Sequence, residues 1–162
     1  MSGQPAGLVI ITARAPSQDV RDLVGELDAV LGNIYVPEQQ HGLRLEELFQ
    51  PHIRFFVASL DGVAAGCGGV ALFDGYAEVK RMYTRAMVRG RGVARALLQR
   101  IETEARDAGR SVLRLETGIH QHESLRLYEA AGFRQRGPFG PYAGMPALAI
   151  ATSLFYEKSI QI

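Results

Sequence analysis

The stretch Val-Arg-Gly-Arg-Gly-Val-Ala-Arg-Ala-Leu-Leu, residues 88–98, constrains this chain most. It joins a strand-like run, residues 76–87, to a helix running from about 92 to 108. Ala94, Leu97, Leu98, Ile101, Ala105 and Ala108 recur at helical spacing, so one face of that helix is buried. Gly90 and Gly92 let backbone N–H groups approach whatever sits at the helix start. Bare amides and the helix dipole favour phosphate there. Arg89, Arg91 and Arg95 add positive charge at the same end. Strand, basic glycine turn and helix in that order suit a pyrophosphate. Taken alone, the turn fits equally well a helix start that needs glycine only for close packing.

The turn is not a P-loop, because no Gly-Lys-Ser/Thr closes it. It is not the dinucleotide fingerprint, which needs glycine where Arg95 stands. A net charge of +1 gives no global field toward nucleic acid or an anionic membrane. The basic cluster over residues 81–100 is local and fits a small anionic ligand. Cys67 is the only cysteine, which excludes an intrachain disulfide, and its apolar, glycine-rich setting reads as a buried inert thiol. No apolar run is long enough to span a bilayer, and the first residues lack a basic signal-peptide region. The expectation is a cytoplasmic protein whose residues 1–162 form one domain, without nucleic-acid or membrane partners.

In chain order, residues 8–13 read as a strand. A helix over residues 17–31 follows, with Ser17 as N-cap and Leu23, Val24, Leu27, Val30 and Leu31 as its stripe. Residues 44–49 read as a short helical patch. Strands over 53–60 and 63–72 meet at Asp61-Gly62, a hairpin signal, and Asp74-Gly75 leads into the strand over 76–87. Residues 111–117 read as a strand, 123–131 as a helix ended by Gly132, 133–136 as a strand and 147–157 as a last strand. The fold class is α/β, an α+β layered domain with helices before and after a central mixed sheet.

A second motif follows the turn. Ser124-Leu125-Arg126-Leu127-Tyr128-Glu129-Ala130-Ala131-Gly132-Phe133 reads on its own as an amphipathic helix with Leu125, Tyr128 and Ala131 inside. Its spacing also resembles motif B of the GNAT acetyltransferases, N-x-x-A-x-x-L-Y-x-x-x-G-F. Gln121 stands at the Asn position and Ser124 at the Ala position. Arg89-x-x-Gly92-x-Ala94 resembles motif A, Q/R-x-x-G-x-G/A. The two motifs stand in the family's order, with Tyr128 39 residues after Arg89.

The resemblance implies a GNAT fold: a mostly antiparallel sheet of about seven strands, helices on both faces, and two central strands that splay around acetyl-CoA. It implies an N-acetyltransferase passing acetyl directly to a primary amine of a small molecule or peptide, and a homodimer. Met82, Tyr83, Thr84, Arg89, Gly90, Arg91, Gly92, Val93, Ala94, Arg95, Gln121, Ser124 and Tyr128 would hold acetyl-CoA. The Met82 N–H, on a bulged strand, would meet the developing oxyanion, and Tyr128 would protonate the leaving thiolate. An alkyl ammonium of pKa about 10 needs a general base. Glu78, on the strand before the turn, is one candidate, and Glu116, at the end of the next strand, is the other. Both also read as ordinary strand carboxylates. His120 and His122, at i, i+2 without a third ligand, make no metal site and line the rim. A different class, an acyl-CoA-binding regulatory module without turnover, would keep the basic turn and lose the base or the acid.

Overall fold

The computed structural model describes residues 4–161. In chain order its elements are β1 (Leu8–Ala13), α1 (Gln18–Gly32), β2 (Ile53–Leu60), β3 (Val63–Phe73), β4 (Tyr76–Thr84) and α2 (Val93–Asp107). Then come β5 (Val112–Gly118), α3 (His122–Ala130), β6 (Arg134–Arg136), α4 (Ala147–Ile150) and β7 (Ser153–Ser159). The strands form one seven-stranded sheet in the order β1-β2-β3-β4-β5-β7-β6. Every neighbouring pair is antiparallel except β4–β5.

Alternation along β2 shows how the sheet carries two cores. Phe55 and Val57 point toward α1 and pack with Val20, Leu23, Val24 and Cys67. Phe56 and Ala58 point the other way and pack with Val93, Leu97 and Ile101 of α2 and with Tyr128 of α3. Successive strand side chains face opposite sides, so one strand serves both layers. Local chemistry sets the joints. Ser17 Oγ accepts the Val20 N–H at 3.3 Å and starts α1. Asp61 at φ 51° and Gly62 at φ 83° make the tight turn between β2 and β3.

Two boundaries and two buried faces depart from the sequence reading. The run over 76–87 ends as a strand at Thr84, and Ala86–Val88 is a 3-10 turn that aims the chain at α2. Residues 147–150, expected to open the last strand, are the one-turn helix α4. Pro146 precedes it, and Ala147-Leu148-Ala149 favours helix over strand. Val30 lies on the exposed side of α1, and Val20 completes the buried stripe. In α2 the buried face uses Val93 and Ala96, while Ala94 and Ala108 are half-buried.

Candidate active site

The glycine turn opens onto a cavity of about 1,100 Å³. Gly90 and Gly92 sit at φ 79° and 83°, where a side chain is strained. Gly92 is the N-cap of α2, and no side chain caps it. The amides of the first turn therefore face the cavity without a protein acceptor. Arg89, Gly90, Gly92, Val93, Ala94 and Arg95 line this wall, and Gln121, Ser124 and Tyr128 line the opposite one. Met82, Tyr83 and Thr84 close the end between them. Arg91 is the exception among the expected ligands: it is exposed and outside the lining. His120 and His122 stand on the rim, and no group of three metal-binding side chains occurs among the described residues.

The splay has a visible cause. β4 and β5 pair only at Ala77–Leu113 and Glu78–Arg114, then diverge. On its other edge β4 pairs Lys80 with Gly69 and Tyr83 with Cys67, so Arg81 and Met82 together oppose Gly68. This is a β-bulge, which bends the strand and re-aims its side chains. Arg81 takes the left-handed conformation at φ 57°. Gly68 stands opposite it, where a Cβ would crowd the Met82 thioether. β5 runs on against β7 as far as Gly118–Ser153, leaving the outer half of β4 open toward the cavity.

A second, smaller cavity of about 100 Å³ meets the first at Leu27, Met82, Gln121, Ser124 and Tyr128. Both candidate carboxylates line it, but in different states. Glu78 is buried, 3.0 Å from Lys80 Nζ, and accepts a 2.7 Å hydrogen bond from the Tyr142 hydroxyl. Lys80 also donates to Tyr142 at 3.0 Å, which closes a triangle. Glu116 accepts from Ser153 Oγ at 2.7 Å and has no ion-pair partner among the described residues. Burial pushes its carboxyl above the usual range, against the smaller effect of the Ser153 hydrogen bond. Tyr128 is buried against Phe133, and its hydroxyl makes no hydrogen bond among the described residues. Burial, and then the Glu116 charge, raise its pKa.

Sequence reasoning missed the roof of this cavity. Tyr35 is buried, donates to Gln121 Oε1 at 3.2 Å and accepts the His120 N–H at 3.1 Å. Gly118 makes room for its ring. His41 meets the Ala149 carbonyl at 2.7 Å and stacks edge-on against Tyr142. None of these residues belongs to a motif.

Residues 19–133 match the acetyltransferase (GNAT) family. The chain belongs to that family. An IAA acetyltransferase of Azospirillum brasilense is 47% identical over 94% of this chain and 98% of its own length. A solved structure described as an acyl-CoA N-acyltransferase, from Klebsiella pneumoniae, is 30% identical with a TM-score of 0.76, covering 95% of this chain and 98% of that one. An acetyltransferase of Salmonella typhimurium, solved with its cofactor acetyl-CoA, shares the fold at 19% identity, with a TM-score of 0.67 over 96% and 95% of the two chains. This GNAT chain is thus an acyltransferase of the N-acetyltransferase kind, and its seven-stranded mixed sheet is the fold of these relatives.

Proposed function

We propose that this acetyltransferase passes acetyl from acetyl-CoA directly to a primary amine of a small molecule, in a ternary complex. The observation that carries the reading is the meeting of two cavities at Met82 and Tyr128. The larger fits a coenzyme A thioester. Its uncapped helix start and the guanidinium groups of Arg89 and Arg95 suit the pyrophosphate, and the open edge of β4 suits pantetheine amides. Bound there, acetyl-CoA supplies the activated acyl group. The smaller cavity is where the amine enters. A relative named for one acceptor, IAA, supports a small-molecule acceptor.

In this account Glu116 takes the ammonium proton. Burial raises its proton affinity, and it stands outside the ion pair and hydrogen bond that engage Glu78 with Lys80 and Tyr142. The Met82 N–H at the bulge meets negative charge developing on the acyl oxygen. The Tyr128 hydroxyl reaches the departing sulfur. No covalent acyl-enzyme is needed. Cys67 is fully buried, and burial pushes its thiol up to about 12, which leaves it without thiolate character. Initial rates measured over a grid of amine and acetyl-CoA concentrations test the order of events. Direct transfer gives intersecting double-reciprocal lines, and parallel lines contradict it.

A further inference from the structure

Arg81 is a buried cation that the steps above do not use. It stands at the bulge in the left-handed conformation, which non-glycine residues enter only under strain. The bulge turns its side chain toward α1, where the guanidinium meets Asp28 through Nη2. The Asp28 side chain is 57% exposed and the Arg81 side chain 4%, so the acid of this pair is wet and the cation is dry. Nε is buried without a hydrogen-bond partner among the described residues. Gly42 covers the same group, and a Cβ there would overlap Nη1. Asp28 meets the guanidinium from its wet side only, and a buried donor left unpaired, as Nε is, is unfavourable.

Arg81 lines the same cavity as Glu78 and Glu116. At about 100 Å³ the cavity is far smaller than the about 300–1,000 Å³ of ordinary small-molecule pockets, so it takes a head group and leaves the rest of the acceptor outside. Cation and carboxylates in one small chamber form a template for a zwitterion. We infer that the acceptor is a free amino acid, with Arg81 holding its carboxylate while its amine faces Glu116. Arg81 is then a specificity-determining residue. A planar guanidinium presents paired donors that match a carboxylate, as an ammonium does not. A peptide N-terminus carries no carboxylate beside its amine and is excluded by the same chemistry.

This inference rests on the transfer reading above, and one assay separates the two. Coenzyme A thiol release is followed with a set of free L-amino acids, their carboxamides and simple alkyl amines. The inference requires at least one free amino acid to exceed its own carboxamide by about tenfold or more in kcat/KM, with most of the difference in KM, since unpaired buried donors penalise the analogue. Carboxamides or alkyl amines used as well as the acids would overturn it and leave amine acetylation standing. No release with any amine would overturn the transfer reading as well. The wild-type comparison needs no variant to fold. Arg81→Lys adds a second readout: KM for the amino acid rises by about tenfold or more while kcat stays within a few-fold. An unchanged KM in a folded variant would remove Arg81 from this role.

Discussion

At the scale of the residue, burial pushes Tyr128 and Glu116 the same way with opposite consequences. A raised carboxyl pKa would make Glu116 a stronger base in the proposed reaction, so burial would serve it. A raised phenol pKa keeps Tyr128 protonated but makes it a poor acid toward a thiol of pKa about 8.5. In the proposed reaction Tyr128 would therefore stabilise the leaving sulfur mainly by hydrogen bonding. The pH–rate profiles of two variants separate these roles. Tyr128→Phe should lower kcat by about tenfold, the loss of one hydrogen bond to the leaving sulfur, without moving the ascending limb. Glu116→Gln should lower kcat/KM by about 10²–10⁴ and abolish that limb. The limb belongs to a base that works only when deprotonated, so in the wild type the rate rises with pH, above the ordinary carboxylate range. A limb that survives in Glu116→Gln and vanishes in Glu78→Gln would return the base to Glu78.

At the scale of the element, the site is a junction between what was legible in the sequence and what was not. The turn from Arg89 to Arg95 and the helix bearing Tyr128 are contiguous, and their glycine and apolar spacing predicts them directly. The bulge at Arg81–Met82 was expected only through the family likeness. It arises from pairing with Gly66, Cys67 and Gly69 of β3, which local sequence does not express. Tyr35, His41, Tyr142 and α4 were not foreseen as site elements, since each is placed by tertiary contact from an irregular segment. The dependence of Tyr35 on Gly118 gives this arrangement a direct test. Gly118→Ala puts a methyl group into the Tyr35 ring and displaces the roof. KM for the amine should rise by about tenfold, the penalty for a loosened contact of about 1.4 kcal/mol, with KM for acetyl-CoA held within about twofold. Equal changes in both constants would mean that the roof serves both cavities.

At the scale of the whole molecule, the fold divides the labour between two layers. α2 and α3 supply much of the wall of the larger cavity, the segment after α1 much of the smaller one, and Leu27 of α1 with Ser124 and Tyr128 of α3 lines both. The splay of β4 from β5 opens the sheet so that the two can meet. Helix periodicity and hairpin signals were enough to predict layers and a mixed sheet, because each reports a buried face. The meeting point is a property of the sheet's register and belongs to no single segment. The central claim is that the basic turn holds a thioester whose acyl group leaves toward an amine across that opening. The most direct measurement is coenzyme A thiol release from acetyl-CoA against a panel of amines, beside Gly92→Glu. This variant places a carboxylate at a left-handed N-cap facing the phosphate wall. The account predicts amine-dependent release by the wild type and its loss in Gly92→Glu. Acetyl-CoA binding without release for any amine would contradict it and assign the chain to acyl-CoA sensing, and equal release by both proteins would contradict the placement of the thioester.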